Sequence, residues 1–411
     1  MSNLQRSMLA GGMPPPRGMP PAPQSRRSRP GSFRRRSYSP VSWRKYWDDK
    51  ERVETDRGVY TVFSRGSGDT LVLLLHGGGY SGLTWSLAAE QLSSMAGCKI
   101  AAIDLRGHGE TETKDGDMSR DCLTQDVRSV ADKLLENGEQ KNLVLVGHSM
   151  GGAIAVSTAA AGGVAGNYKW KGGDHLLDLL LESLSNMQGF LRPRPQQFRS
   201  VSHAIEWCVR SGQARNLDSA RVSMPGQIKD REGRLVSSLV HEVTTQEPEV
   251  IDVGKRLAPV PPPDSIIEED EKDEKEENEG KDEEKKEFST PEKINGDKKP
   301  EDGDGPYTWA VDLSTTEPHW ASWFQDLSNN FLSAPSAKLL LLAGVDRLDT
   351  NLTVAQMQGK FQMIVLPQVG HAIQEDSPDK VAEAIANFLV RNRLADSKDS
   401  NIVVPKGPIR A

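Results

Sequence analysis

The fold is decided by the stretch LVLVGHSMGGAIAVSTAAA, residues 143–161. Its first four residues, Leu143 to Val146, form an unbroken apolar run of strand length, which is typical of a strand buried on both faces of a parallel sheet. A glycine-rich turn follows at 147–152, and the alanine-rich segment from Ala153 to Ala161 has the composition of a helix. The stretch therefore predicts a buried strand that passes through a tight turn into a packed helix.

Strand-length apolar runs alternate with longer helical patterns on both sides of this unit. The alternation indicates crossover helices, so the predicted fold class is α/β, with a mostly parallel central sheet and flanking helices. Residues 175–250 and 307–333 have a mostly helical pattern, which predicts a helical lid. The other predicted strands are Val59–Ser64, Leu71–Leu75, Lys99–Leu105, Lys338–Leu342 and Gln362–Leu366, and the other predicted helices are Trp85–Ala96, Cys122–Leu135 and Pro378–Val390, the last capped by Ser377.

Composition divides the 411 residues into folded and unfolded parts. Only 36% of the residues are hydrophobic, whereas a compact soluble domain has ~45%. Residues 1–40 contain eight arginines and no acid, and residues 261–306 contain 19 acidic side chains against 8 lysines, so neither segment can bury a core. We expect a disordered basic arm at 1–40, an α/β domain at 41–395 interrupted by a disordered acidic insert at 256–306, and a C-terminal tail at 396–411.

Cysteine content and hydropathy favour a cytoplasmic protein. Three cysteines are too few and too scattered for a disulfide framework or a thiolate zinc site. No apolar run approaches the ~18 residues of a membrane span, and the N-terminus lacks the core of a signal peptide. We expect neither a membrane nor a nucleic-acid partner, and the arginine cluster at 26–36 leaves nuclear import open.

The turn at 147–151 fits the pattern G-x-S-x-G, whose serine is Ser149. A serine hydroxyl is a poor nucleophile unless it is held accessible and a base removes its proton. An elbow between a strand and a helix holds the serine in that way, and its glycines provide clearance. Ser149 is therefore the predicted catalytic nucleophile.

A second glycine-rich turn, HGGG at 76–79, follows the strand predicted at 71–75. Small residues allow backbone N–H groups to converge on a developing oxyanion, and each such donor is worth ~3 kcal/mol in the transition state. The predicted donors are Gly78, Gly79 and Met150, the residue that follows the nucleophile.

The predicted base is His371. It lies after the last predicted strand and before the last helix, where the chain order serine, acid, histidine places the base. We assign two other histidines, His108 and His148, to loop packing.

Spacing alone favours Asp346 as the acid of the triad. It follows the strand predicted at 338–342 and precedes His371 by 25 residues. Asp349 is a weaker choice by the same criterion. Asp104 precedes the nucleophile, and we expect it to hold the neighbouring loop by hydrogen bonds.

These residues resemble the protein phosphatase methylesterase family, whose members have the α/β-hydrolase fold. The resemblance implies hydrolysis of the methyl ester on the C-terminal leucine of the protein phosphatase 2A catalytic subunit, which would be the partner. It covers roughly 300 residues and is carried by the segments 73–79, 104–111, 147–155, 215–224, 306–309, 339–349, 356–363 and 378–384.

The resemblance also points to a second acid. In the family, the triad aspartate follows a strand after the nucleophile helix, and counting back without gaps from Met187 places it at Asp174. The polar segment at 167–173 replaces the apolar strand expected there, so the strand is predicted to be lost. Asp174 by family position and Asp346 by spacing both stay open as the acid.

The combined prediction is a serine carboxylesterase that needs no metal or organic cofactor. Trp309, Trp320 and Trp323 are candidates either for a groove that binds the partner's tail or for core packing. Two alternatives remain: a small-molecule esterase, and a non-catalytic phosphatase-binding protein if the altered segment 162–176 has disabled the triad.

Overall fold

The computed structural model describes residues 37–136, 139–164, 176–182, 194–243, 306–344 and 349–399. Most of the predicted basic arm and acidic insert and the end of the predicted tail lie outside these residues. The predicted domain boundaries therefore stay predictions. Asp174 and Asp346 also lie outside the described residues.

The described strands form a large mixed sheet and a small antiparallel one. The order of the large sheet is β1-β2-β4-β3-β6-β7-β11-β12, with β5 paired to β2, and the order of the small sheet is β8-β10-β9. In chain order the strands are β1 (Asp49–Glu54), β2 (Gly58–Arg65), β3 (Thr70–Leu75), β4 (Lys99–Ile103), β5 (Glu112–Thr113), β6 (Asn142–His148), β7 (Leu176–Glu182), β8 (Gln197–Phe198), β9 (Ile228–Lys229), β10 (Tyr307–Trp309), β11 (Lys338–Leu342) and β12 (Gln362–Val365).

Most neighbouring strands of the large sheet are parallel. β2 runs antiparallel to β1, β4 and β5, whereas every neighbouring pair from β4 to β12 is parallel. The carboxyl ends of these parallel strands therefore lie along one edge, where α/β proteins place their sites. The α/β class and the mostly parallel sheet are confirmed.

Helices cover both faces of this sheet. In chain order the α-helices of the described residues are α1 (Ser86–Met95), α2 (Arg120–Leu135), α3 (Met150–Val164), α4 (Val201–Ser211), α5 (Leu217–Ser223), α6 (Val236–Val243), α7 (Glu317–Phe324), α8 (Leu327–Ser333), α9 (Thr350–Met357), α10 (Ile373–Asp376) and α11 (Pro378–Arg391). The predicted helices are confirmed to within a few residues at each end. Ser377 precedes α11 as predicted, but its side chain makes no capping hydrogen bond.

Alternation along β3 shows how the sheet separates two cores. Leu71, Leu73 and Leu75 belong to the core that contains residues of α2 and α3. Val72 and Leu74 point to the opposite face, into the core that contains residues of α1 and α11. Because successive side chains point to opposite faces, a strand covered on both sides must be apolar throughout, which explains the run predicted from the sequence.

The prediction that the strand after α3 is lost is wrong. β7 lies between β6 and β11 and is parallel to both. Its sequence, LLDLLLE, begins downstream of the polar segment at 167–173, within a region predicted to be helical. Pairing on both sides satisfies the backbone groups of β6 and β11 that a missing central strand would leave without partners.

The predicted helical lid is only partly confirmed. Residues 194–243 and 306–312, here called the cap, contain α4 to α6 together with the small sheet. In contrast, Trp323 of α7 and Phe331 of α8 are fully buried in the core beside α3. Within the described part of the chain, no helix is both long and apolar enough to cross a bilayer.

Candidate active site

Ser149 occupies the predicted elbow between β6 and α3. Its φ is +52°, in the left-handed region that residues other than glycine rarely adopt. Only 5% of its surface is exposed. The elbow thus holds a serine in a strained turn at the carboxyl edge of the sheet.

Both glycines of the elbow are required by close backbone contacts. A Cβ atom on Gly147 would lie 2.3 Å from the carbonyl oxygen of Gly151. A Cβ atom on Gly151 would lie 2.4 Å from the oxygen of Leu75 and 2.5 Å from that of His76. The elbow therefore packs directly against the end of β3, where the HGGG turn begins.

The HGGG turn lies beside the nucleophile. A Cβ atom on Gly77 would be 3.3 Å from Cβ of Ser149, and one on Gly78 would be 3.9 Å from Sδ of Met150. The N–H of Gly79, in contrast, donates to Nε2 of His108 at 2.9 Å. Its predicted role as an oxyanion donor is therefore corrected, because this amide already holds the turn in place. Gly78 and Met150 stay as predicted donors.

Two buried histidines support the turn. His76 donates through Nδ1 to the oxygen of Gly77 at 2.7 Å, and its Nε2 accepts from the N–H of Leu105 at 3.0 Å. His108 donates through Nδ1 to the oxygen of Arg106 at 2.8 Å. Burial lowers the pKa of His76 well below its usual value and that of His108 to about 4, so both rings are neutral at pH 7. The loop-packing role predicted for His108 is confirmed.

His148 links the elbow to the predicted base. Its Nε2 lies 2.8 Å from the backbone oxygen of His371, and the two rings are 4.8 Å apart. Burial, followed by the nearby His371, holds the pKa of His148 well below its usual value, so the neutral ring donates this hydrogen bond. The residue that precedes the nucleophile thus positions the backbone of the base.

A second set of bonds fixes the loop that carries His371. Asp376 accepts the N–H of Gly370 and the N–H of Arg215, each at 2.6 Å. His371 itself is half-buried between these anchors. The bond from His148 and these anchors therefore place the backbone of His371 beside the elbow that carries Ser149.

The described carboxylates that the sequence singled out have other roles. Asp349 caps α9 by accepting the N–H of Leu352 at 2.7 Å, which argues against a role as the acid. Asp104 accepts the N–H of Gly82 at 2.7 Å and that of Glu110 at 3.3 Å, which confirms its predicted role in holding loops.

Comparison with known proteins identifies the family. Residues 72–384 match the profile of the Alpha/beta hydrolase family. Protein phosphatase methylesterase 1 of Mus musculus is 45% identical over 407 residues, which cover 96% of this chain and 97% of that protein. The human protein of the same name is 44% identical over 407 residues, with 96% and 97% coverage. A probable protein phosphatase methylesterase 1 of Caenorhabditis elegans is 35% identical over 413 residues, with 99% and 90% coverage. The chain belongs to the protein phosphatase methylesterase family.

Solved structures support the fold of this methylesterase-family member. E-2-(acetamidomethylene)succinate hydrolase matches with a TM-score of 0.53 at 14% identity, over 83% of this chain and 98% of that chain. A thioesterase domain from the curacin biosynthetic pathway matches with a TM-score of 0.51 at 15% identity, over 82% and 98%. At such identities the likeness shows the fold alone. The family assignment confirms the predicted resemblance and the hydrolase class.

Arg194, which was not predicted from the sequence to belong to the site, places a positive charge beside the HGGG turn. The guanidinium carbon of Arg194 lies 4.1 Å from the ring centroid of Trp309, and a Cβ atom on Gly79 would be 3.3 Å from Nη1 of Arg194. Burial lowers the pKa of Arg194 to about 10, so it stays charged at pH 7. Trp309, one of the three tryptophans considered for a groove, is thus adjacent to the site. Trp323 instead belongs to the core.

Glu375 has a buried carboxyl group that joins the segment after His371 to the cap. The hydroxyl of Thr84 donates to its Oε1, and that of Ser223 donates to its Oε2 at 3.0 Å. Burial raises its pKa from 4.5 to about 8 despite these bonds. Near pH 7 the folded protein therefore keeps Glu375 protonated, whereas the unfolded chain has released this proton.

We expect Glu375→Gln to remove a pH dependence of stability. Because the folded-state pKa of Glu375 is raised, the free energy of unfolding falls as pH rises from 4.5 towards 8. The lowered pKa values of the buried histidines act in the opposite sense only below their unfolded value of 6.5. Between pH 6.5 and 8 the wild type should lose up to ~2 kcal/mol, at 1.36 kcal/mol per pH unit per proton.

Urea unfolding followed by tryptophan fluorescence at several pH values in this window measures the difference. Glu375→Gln, which keeps the size and the acceptor oxygen of the side chain, should show a nearly flat profile. Equal slopes for the variant and the wild type would contradict the assignment of the buried proton to Glu375.

Proposed function

We propose that this chain is a serine carboxylesterase that removes the methyl ester from the C-terminal leucine of the protein phosphatase 2A catalytic subunit. The observation that carries the proposal is 45% identity over nearly the whole length of a relative named protein phosphatase methylesterase 1. The strained Ser149 elbow beside the HGGG turn supports ester chemistry.

The first half of the proposed reaction forms an acyl enzyme. Oγ of Ser149 attacks the ester carbonyl carbon while His371 takes the hydroxyl proton. The carbonyl oxygen gains negative charge, which the N–H groups of Gly78 and Met150 stabilise. The tetrahedral intermediate then expels methanol, which receives the proton from His371, and leaves the leucine carbonyl bound to Ser149.

The second half regenerates the enzyme. Water enters the position that methanol has left, and His371 takes one of its protons as the oxygen attacks the acyl carbon. Collapse of the second tetrahedral intermediate breaks the bond to Ser149, whose oxygen regains the proton from His371. The products are a free C-terminal carboxylate and methanol, and no cofactor enters the balance.

The surroundings of the turn suit a small alcohol. A Cβ atom on Gly78 would lie 3.7 Å from Cδ2 of Leu313, and one on Gly79 would lie 2.8 Å from Cδ1 of the same residue. Leu313 therefore limits the space beside the oxyanion donors. Selectivity for one protein must then come from contacts with the tail and the surface of the partner, since a methyl group offers little to recognise.

The proposal predicts selective release of methanol from C-terminal leucine methyl esters. Purified full chain is incubated with the methylated phosphatase catalytic subunit, with its methylated C-terminal peptide, and with a peptide that carries an internal glutamate methyl ester. Mass spectrometry follows the loss of the ester. We expect the first two substrates to be hydrolysed and the internal ester to persist.

Two results would contradict this function in different ways. Turnover of p-nitrophenyl acetate without demethylation of the phosphatase or its peptide would indicate a small-molecule esterase. Binding of the phosphatase without turnover of any ester would indicate a non-catalytic binding protein.

A further inference from the structure

A positive charge of the cap lies against the HGGG turn. A Cβ atom on Gly79 would be 3.3 Å from Nη1 of Arg194 and 2.8 Å from Cδ1 of Leu313, so both side chains border the same residue. Leu313 also borders Gly78, where a Cβ atom would lie 3.7 Å from its Cδ2 and 3.9 Å from Sδ of Met150. Leu313 thus connects the guanidinium group with the two predicted oxyanion donors.

Trp309 holds this guanidinium group in place. The guanidinium carbon of Arg194 lies 4.1 Å from the ring centroid, which is a cation–π contact. The indole N–H of Trp309 donates to the backbone oxygen of Pro195 at 2.8 Å, which fixes the chain next to Arg194. The indole ring also packs edge-on against Phe198 and Trp207. A cation that is held before the reaction begins needs no reorganisation when negative charge develops beside it.

The charge of Arg194 already acts on the turn in the free protein. The N–H of Gly79 donates to Nε2 of His108, which can accept this bond only while the ring is neutral. Burial lowers the pKa of His108 to about 4, and the charge of Arg194 contributes to the lowering. Burial also strips water from Arg194, so its field is screened less than that of a surface arginine. Part of the side chain stays exposed, so a ligand can reach it.

We propose that Arg194 stabilises the oxyanion of both tetrahedral intermediates, together with the N–H groups of Gly78 and Met150. As Oγ of Ser149 bonds to the acyl carbon, the carbonyl π bond breaks, its oxygen takes the electron pair, and His371 takes the hydroxyl proton. The oxygen then carries a negative charge that the ester lacked. Because only the charged state gains from the cation, the contact lowers the barrier and does not tighten ester binding. The inference rests on the nucleophile of the proposed function, but not on the identity of the ester.

The test separates the charge of Arg194 from its shape. Arg194→Met removes the charge and keeps an unbranched side chain, whereas Arg194→Lys keeps the charge. With p-nitrophenyl acetate, Arg194→Met should lower kcat by ~100-fold and change KM by less than about twofold, as expected for the loss of one oxyanion contact. Arg194→Lys should recover about tenfold of this loss, because its charge remains but its planar stacking is gone. Arg210→Met, which removes an exposed arginine paired with Glu206 on α4, is the control and should match the wild type.

Covalent labelling measures the same stabilisation without turnover. When Oγ of Ser149 bonds to the phosphorus of a fluorophosphonate, fluoride leaves, the hydroxyl proton passes to His371, and the phosphonyl oxygen carries the developing negative charge. The rate constant of labelling should therefore fall by ~100-fold in Arg194→Met and be partly recovered in Arg194→Lys. A merely structural role would affect both variants equally, since neither side chain reproduces the stacked guanidinium. Arg194→Gln replaces Arg194→Met if thermal unfolding shows that the latter does not fold.

Equal labelling rates in the uncharged variant and the wild type would overturn the proposal. Equal losses in Arg194→Lys and the uncharged variant would overturn it as well, because the charge would then have no effect. Absence of labelling at Ser149 in the wild type would refute both this proposal and the proposed function. Hydrolysis of p-nitrophenyl acetate that depends on the charge of Arg194, without demethylation of the phosphatase, would refute only the proposed substrate.

Discussion

Ser149→Ala is expected to lower kcat for every ester that this chain hydrolyses by ~10⁵-fold or more. Removing the hydroxyl removes the atom that forms the acyl enzyme, and the residual rate comes only from binding and from the oxyanion donors. Folding should be nearly unaffected, because alanine is smaller and meets the same backbone strain at φ +52°. The variant should still bind a methylated peptide, since the pocket is otherwise unchanged.

Ser94→Ala is the matched control. It removes the same hydroxyl group from an exposed position on α1. Stopped assays with p-nitrophenyl acetate and with the methylated peptide give kcat, and thermal unfolding verifies the fold. Covalent labelling by a fluorophosphonate should disappear in Ser149→Ala and persist in Ser94→Ala. Retention of labelling in Ser149→Ala would assign the nucleophile to another residue.

Gly151→Ala is the structural change with the largest expected effect. The new methyl group would lie within 2.5 Å of the backbone oxygens of Leu75 and His76, and neither can move without displacing the HGGG turn. Overpacking against backbone should lower the free energy of unfolding by ~3 kcal/mol. If the folded variant relieves the contact by a shift of about 1 Å at the elbow, kcat/KM should fall by ~100-fold.

Gly116→Ala provides the comparison, because a Cβ atom at Gly116 meets nothing within 4 Å. Chemical unfolding and ester hydrolysis of the two variants separate the effect of the contact from that of adding a methyl group. Equal stability and activity of Gly151→Ala and Gly116→Ala would show that the elbow can relax around the extra atom.

Features encoded over short stretches could be predicted from the sequence. The elbow at 147–151 and the turn at 76–79 depend on glycines whose spacing is visible in one dimension, and both lie where expected. β3 and β11 could be predicted from their unbroken apolar runs, because a strand covered on both faces must be apolar throughout. The position of His371 followed from chain order.

Features that depend on distant pairings could not be predicted. The contact between His148 and the carbonyl of His371 joins residues 223 positions apart. Gly79 was expected to face an oxyanion, and only the folded chain brings His108 within reach of its N–H. Five leucines of β7 form an apolar run that Asp178 interrupts. The spacing of apolar residues in such a short run does not distinguish a strand from a helix.

The acid of the triad illustrates the difference between counting and register. Counting along the chain led to Asp174 or Asp346, whereas the pairing of β7 with β6 and β11 shows that this strand begins later in the sequence than the counting assumed. A shift in where a strand begins changes which residue reaches its carboxyl end. Sequence distance from the nucleophile therefore cannot identify the acid when the intervening segment has changed.

The small sheet of the cap has a consequence for how this chain can change over evolution. β10, which follows residues 244–305 in sequence, is hydrogen-bonded between β8 and β9, which precede them, and Trp309 packs against Phe198 and Trp207. These contacts join the two described ends of the cap, on either side of residues 244–305 in sequence. Each doubling of a connecting segment adds only ~0.6 kcal/mol of closure entropy. Acidic sequence can therefore be gained, lost or replaced at this point with little effect on the catalytic fold, so that a new binding property can evolve separately from the chemistry.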